Sequence, residues 1–130
     1  MITYTDTKAS PEEVYGLYKA LGWTAYLDLT AEQIALAMTQ SWFVVNAYAD
    51  SLLVGSGRVI SDGVTSAYLC GLGVRPEYRC QGIATEIIAR LVDECRRDKL
   101  HVQFFCDEAL VSMYEKLGFT AFAVGMKHRE

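Results

Sequence analysis

Histidine, proline and tryptophan are scarce here, two of each in 130 residues, and the scarcities exclude several kinds of protein. With His101 and His128 the sole imidazoles, and Cys70, Cys80, Cys95 and Cys106 in no C-x-x-C or zinc spacing, no metal centre is expected. The cysteines read instead as small buried apolar residues, with Cys80 the one placed for exposure. No apolar run approaches the ~20 residues of a membrane-spanning helix, so no membrane partner is expected. The formal charge is −4 and no basic tract exceeds Arg96-Arg97, which argues against nucleic acid, because phosphate contacts need a clustered positive face. The opening Met1-Ile2-Thr3-Tyr4-Thr5-Asp6 lacks the basic and apolar regions of a signal peptide, and a cytoplasmic location is the expectation. Linkers, repeats and low-complexity segments are missing too. Residues 1–130 are expected to form one domain.

What is present is an ordinary globular mixture, 52% hydrophobic and 22% charged, with enough apolar residues to bury a core. Ile2 and Tyr4 alternate with polar residues in a short first strand over residues 1–7. Ser10-Pro11-Glu12-Glu13 is a capping box with proline at the first helical position; Val14, Leu17, Tyr18 and Leu21 form the buried stripe and Gly22 ends the helix. Residues 23–29 read as a loop. Thr30-Ala31-Glu32-Gln33 repeats the capping box and opens a helix with Ile34, Ala37 and Met38 inward.

Three apolar strands follow over residues 42–49, 52–60 and 64–74, turned by Asp50-Ser51 and Asp62-Gly63, which predicts an antiparallel meander. Ile83, Ile87, Leu91 and Cys95, with Ile88 and Val92 beside them, predict a helix over about residues 82–97. Residues 101–106 read as a buried strand; a strand–helix–strand crossover places it parallel to the strand ending at Val74. Asp107 or Glu108 is expected to cap a last helix with the stripe Leu110, Met113, Tyr114 and Leu117, closed by Gly118. Residues 120–128 return as a final strand or hairpin. The expected class is α+β: a twisted, mostly antiparallel sheet with helices on both faces and one parallel strand pair.

Chemistry concentrates in Leu72-Gly73-Val74-Arg75-Pro76-Glu77-Tyr78-Arg79-Cys80-Gln81-Gly82-Ile83-Ala84-Thr85. A strand end turns at Pro76 and opens through Gly82 into a helix, and N–H groups at a helix N-terminus suit an anion such as a pyrophosphate. Gly71-x-Gly73 lacks the third glycine and the following helix of a dinucleotide-binding turn, and G-K-[ST] is absent. Arg79-x-x-Gly82-x-Ala84 resembles the Q/R-x-x-G-x-G/A signature of the GNAT (GCN5-related) N-acetyltransferases, with Val74 at the family's usual distance before it. Tyr114-Glu115-Lys116-Leu117-Gly118-Phe119 looks like the family's Y-x-K-x-G-F segment. The two lie in the right order, and the resemblance covers roughly residues 40 to 125.

The resemblance implies a GNAT-like fold and acetyl-CoA as co-substrate. Leu72, Gly73 and Val74 would hold the pantetheine arm, while Arg79, Cys80, Gln81, Gly82, Ile83, Ala84 and Thr85 would wrap the pyrophosphate. Gly71 and Gly73 fit a bulge, or relieve crowding. Tyr114 would protonate the leaving thiolate, and backbone N–H groups near Leu72 would meet the oxyanion. The N-terminal helices with Trp23 and Tyr26 would wall the acceptor site, though both aromatics also suit a plain rim or core role.

Two departures stand out. Ser66-Ala67-Tyr68-Leu69-Cys70 offers no acid or histidine as general base, leaving Tyr68, Asp28 or Glu32 acting through water. Asp107 stands where the family often has a cofactor-contacting asparagine. The expectation is an N-acetyltransferase in which a primary amine attacks directly in a ternary complex, a small-molecule acceptor being favoured over a protein lysine or N-terminal amine. No cysteine is paired with a base for a covalent acetyl-enzyme. A non-enzymatic acyl-CoA-binding or interaction module remains the alternative, and exposed edge strands leave a homodimer open.

Overall fold

Five strands lie side by side in the order the chain makes them, in a computed structural model that describes residues 1–130: β1 (Ile2–Thr5), β2 (Phe43–Ala49), β3 (Leu52–Ser61), β4 (Ser66–Val74) and β5 (His101–Gln103). The first four pair antiparallel: β2–β3 and β3–β4 through connections too short for a crossover, β1–β2 around the helices that link them. Asp62 holds the β3–β4 turn, its carboxylate accepting from the Val64 and Thr65 N–H groups at 2.9 and 2.8 Å and from Thr65 Oγ1 at 2.7 Å. The long crossover returns β5 parallel to β4.

The helices cover both faces. On one side lie α1 (Pro11–Ala20), α2 (Thr24–Leu27) and α3 (Ala31–Thr39), over a core of Val14, Leu17, Tyr18, Ile34, Met38, Val44 and Leu53. Both capping boxes form, Ser10 with Glu13 and Thr30 with Gln33. On the other side α4 (Ile83–Arg97) buries Ile83, Ile87, Ile88, Leu91 and Cys95. Full burial of each of the large aliphatic side chains is worth roughly 1.5–3 kcal/mol, which seats α4 firmly on the sheet. Asn46 and Ser56, opposite each other on β2 and β3, are wholly buried and satisfied. Ser56 Oγ donates to Asn46 Oδ1 at 2.7 Å, and Asn46 Nδ2 donates to the Thr7 carbonyl at 2.9 Å.

Several expectations need correction. Residues 23–29 are not all loop, since α2 makes one helical turn there. The strand expected over residues 101–106 stops at Gln103, because β4 bulges at Gly71 shortly past the last pair, Tyr68↔Gln103, and the two parallel strands part. The final strand over residues 120–128 does not form. Phe122, Val124 and Met126 alternate as a strand would, yet they stand 62%, 82% and 84% exposed and make no ladder with the outer edge of β5, although Phe122 packs edge-on to His101 at 5.8 Å. Alternation says which face a strand would bury, not whether the strand will pair.

The last helix, α5 (Val111–Glu115), follows a 3-10 turn over Glu108–Leu110. Asp107 sits at the cap position of that turn, but its side chain accepts no capping hydrogen bond. Leu110 and Met113, expected inside, are 41% and 45% exposed. Among the cysteines only Cys95 is buried, and Cys106 is exposed along with Cys80. Ala37 is only partly buried. No helix is long and apolar enough to cross a membrane.

Candidate active site

Where β4 and β5 part, a cleft of about 390 Å³ passes through the layer of the sheet. β4 runs on from Tyr68 to Val74 with no strand on its β5 side, so that edge keeps free backbone donors and acceptors. Across β3 and β4 the register skips: Ser56 pairs with Gly73 and Arg58 with Cys70, so Gly57 faces both Gly71 and Leu72. Gly71 takes φ +63, the left-handed conformation that a glycine bulge requires. The bulge turns Leu72 into the cleft. Gly73 has a different task, since a Cβ there would run into Leu21 and Trp23, and its bareness lets the α1–α2 corner close down on the strand end.

Beyond Val74 the chain turns through Pro76–Tyr78 and enters α4. Arg79 anchors this turn, its Nε donating to the Val74 carbonyl at 3.1 Å. Cys80 and Gly82 both have positive φ, +63 and +82. Gly82 is the N-cap of α4, brings no side-chain cap, and has nothing within 4 Å of where a Cβ would stand. The first N–H groups of a helix lack intrahelical partners, so those of Ile83, Ala84 and Thr85 open into bare space with the positive end of a 15-residue helix behind them. The acidic side chain of that turn, Glu86, is engaged by Arg90 at 2.7 Å. A diphosphate fits this cradle in charge and in room. Ile83 contributes backbone alone, because its side chain lies in the core at 2% exposure.

Tyr114 reaches the cleft from α5. Its helix closes by a Schellman motif: Gly118 takes φ +96, its N–H donates to the Glu115 carbonyl at 3.1 Å, and the Phe119 N–H reaches back to the Tyr114 carbonyl at 3.2 Å. This is the physical content of Tyr114-Glu115-Lys116-Leu117-Gly118-Phe119. The closure sets Phe119 and Phe104 edge-on around Tyr114, with ring centroids 6.2 and 4.6 Å away. Burial, helped by the neighbouring Cys106, pushes the Tyr114 pKa up, so its hydroxyl keeps its proton well beyond neutral pH.

Leu72 and Tyr114 therefore line the cleft itself, Gly73 and Val74 continue its strand edge, and residues 79–85 lie outside it, past the strand end at the start of α4. Trp23 and Tyr26 wall it from the α1–α2 side, and Tyr68 lies on its floor against Phe105 at 5.4 Å. Asp28 and Glu32, the other candidate bases, do not line it; both are exposed. Burial raises the Tyr68 pKa, assisted by Cys70 and partly offset by Arg58, so Tyr68 is a phenol at neutral pH and a poor base. Cys106 borders a neighbouring groove instead. No three His, Cys, Asp or Glu side chains gather as a metal site would require. Two lining residues able to hydrogen-bond a substrate escaped the sequence reading, Tyr18 and Arg58, along with apolar ones such as Leu27, Phe104 and Phe105. Arg58 carries a signal, a lone cation in an otherwise apolar strand; Tyr18 looks like any core aromatic.

The sequence model of the Acetyltransferase (GNAT) family matches residues 7–119. The chain is 34% identical over 76 residues to GCN5-related N-acetyltransferase 2, chloroplastic, of Arabidopsis thaliana. That match takes in 58% of this chain and 30% of the relative, so the chain spans less than a third of that protein's length. An acetyltransferase of the GNAT family from Streptococcus pneumoniae superposes with a TM-score of 0.77 at 25% identity, covering all of both chains. A predicted acetyltransferase from Clostridium acetobutylicum, solved with acetyl-CoA, superposes with a TM-score of 0.70 at 16% identity, over 99% of this chain and 96% of that one.

Proposed function

Since the chain belongs to the acetyltransferase (GNAT) family, we propose that it transfers the acetyl group of acetyl-CoA to a primary amine of a small molecule, by direct attack while both substrates are bound. One observation carries the reading: the β4 edge, left unpaired after Tyr68, runs straight to the uncapped N-terminus of α4. Leu72, Gly73 and Val74 hold the amide-bearing arm of acetyl-CoA along that edge, and residues 79–85 take its pyrophosphate with backbone N–H groups. A backbone N–H at the Gly71–Leu72 bulge polarises the acetyl carbonyl, where charge builds as the amine adds.

In the transfer one N–C bond forms and the C–S bond breaks. Tyr114 gives its proton to the departing thiolate sulfur, and the proton lost by the amine restores it through water. No carboxylate or imidazole lines the cleft, so the acceptor enters as the free amine. The cleft's modest volume and aromatic walls favour a compact acceptor over a folded protein.

Calorimetric titration with acetyl-CoA tests the reading. Gly82→Glu sets a carboxylate against the pyrophosphate and is expected to weaken binding about 100-fold, or ~2.7 kcal/mol. Gly82→Asn, which tolerates the same left-handed backbone, controls for folding and is expected to bind. Wild-type protein that ignores acetyl-CoA would sink the proposal. Binding without thiol release across amines would point to a non-enzymatic acyl-CoA-binding module.

A further inference from the structure

Arg58 stands alone as a cation in the strand Leu52–Ser61. It pairs with Val44 on one side and Cys70 on the other, so its side chain leaves the sheet on the α1–α3 face, into the acceptor half of the cleft. Nη1 donates to Ser41 Oγ at 3.3 Å. Nε is buried and has no hydrogen-bond partner, alone in this among the buried side-chain nitrogens and oxygens of the chain. The two ion pairs, Glu86–Arg90 and Glu94–Arg97, leave Arg58 out, and no acidic side chain lines the cleft it faces. Arg58 as a residue is partly exposed, so water reaches its outer end, but Nε is shut away with an unused N–H, and a buried donor without an acceptor is costly.

The surroundings say where the partner goes. Nε of Arg58 and the hydroxyl of Tyr18 each lie 3.2 Å from the point where a Cβ on Gly71 would stand, so they converge over a bare backbone. Tyr18 spends its proton on Met38 Sδ at 3.9 Å, a weak bond that a better acceptor displaces. Burial pushes the Tyr18 pKa up, with Arg58 partly offsetting it, so at neutral pH it is a donor. A guanidinium and a phenol O–H side by side at the cleft wall suit an oxyanion.

We infer that the acceptor amine also carries an anionic group, a carboxylate or a phosphate, and that Arg58 and Tyr18 bind it above Gly71. This rests on the acetyl-transfer reading and narrows its substrate: the amine meets acetyl-CoA at one end of the cleft while its anion is held at the other. The net charge of −4 does not oppose this, because Arg58 is the sole charged side chain lining the cleft.

Two matched pairs of amines test it, 4-aminobutyrate against n-butylamine and O-phosphoethanolamine against ethanolamine, with thiol release as the assay. The anionic member of at least one pair is expected to have a KM lower by about 10- to 100-fold, the worth of a charge-assisted pair. The pair with the larger ratio identifies carboxylate or phosphate. Arg58→Gln is expected to erase that ratio, Arg58→Lys to keep part of it as a point charge, and Tyr18→Phe to reduce it by about 3- to 10-fold. The wild-type comparison stands even if a variant fails to fold.

Equal KM values within both pairs, or Arg58→Gln raising KM alike for charged and neutral amines, would overturn the anion site and leave acetyl transfer standing. Calorimetric titration of the same amines gives the converse. An anionic amine that binds wild type but not Arg58→Gln, with no thiol released, would support the anion site and remove acetyl transfer. If neither anionic amine is bound or turned over, the inference is overturned.

Discussion

Tyr18-Lys19-Ala20-Leu21-Gly22-Trp23 and Tyr114-Glu115-Lys116-Leu117-Gly118-Phe119 close two helices in the same way, on opposite sides of one cleft. In each the glycine turns left-handed, φ +79 at Gly22 and +96 at Gly118. In each the following aromatic sends its N–H back to the tyrosine carbonyl, Trp23 to Tyr18 at 2.9 Å and Phe119 to Tyr114 at 3.2 Å. Both aromatics then sit edge-on to their tyrosine. Beyond that the two ends differ. α1 starts on a complete capping box and buries Val14, Leu17 and Tyr18, whereas α5 starts on an uncapped turn and buries no residue. Both tyrosines line the cleft, but Tyr18 is 6% exposed and packed in the core, whereas Tyr114 is half-buried. A local motif aims an aromatic relative to its own helix, and the neighbouring elements decide how deeply its hydroxyl is set.

Stability should separate the two ends most sharply. Leu17→Ala in α1, wholly buried, is expected to lose about 2–5 kcal/mol in denaturant unfolding, while Met113→Ala in α5 stays within about 0.5 kcal/mol. Similar losses would mean that α5 is as well anchored as α1, and the contrast would fall.

Activity should reverse the ranking. On the acetyl-transfer proposal, Tyr114→Phe lowers kcat by about 100-fold at unchanged melting temperature, the usual scale for a removed proton donor. The wild-type rate is expected to climb with pH as the amine loses its proton. It should fall only above about pH 10, because burial raises the Tyr114 pKa above the ordinary tyrosine value. Tyr114→Phe should lose the falling limb along with the rate. A variant with wild-type kcat would take Tyr114 out of the chemistry.

The smallest effect concerns alkaline stability. A tyrosine whose folded pKa is raised binds its proton more tightly than the unfolded chain does. Its contribution is whole below about pH 10 and fades as pH climbs through the folded value. Tyr48, held up at about 12 by burial and the adjacent Glu13, contributes to the same decline, with Tyr18 and Tyr114 beside it. Tyr18→Phe should flatten the decline more than Tyr114→Phe, since Tyr18 is the deeper of the two. Melts between pH 9 and 11 would show the order, and the reverse order would contradict the burial contrast.

Much of this was legible in the chain, and each success has a local cause. Ser10–Glu13 and Thr30–Gln33 bond to their own helix starts, and Ile83, Ile87, Leu91 and Cys95 need only one face of α4 to find the sheet. Gly82 is legible as the start of that helix, and it takes the left-handed N-cap position of α4. The failures cluster where the outcome depends on a partner element. Residues 120–128 alternate correctly but do not pair with the open edge of β5, and residues 104–106 leave the sheet because β4 bulges at Gly71 on the neighbouring strand. Asp107 has a cap's chemistry without a helix start shaped to use it.

The amino-acid order alone determined α1, α3 and α4, the meander, the parallel crossover and the two glycine-closed helix ends, because each rests on caps, periodicities and connection lengths written in the local sequence. Only the tertiary structure decided that Tyr114 opens into a cleft while Tyr18 is buried, and that Arg58 on β3 meets Tyr18 from α1 over Gly71 on β4. Those meetings join residues far apart in the chain. Their energies depend on burial and on missing counter-charges, quantities that exist only once the sheet and helices have closed around them.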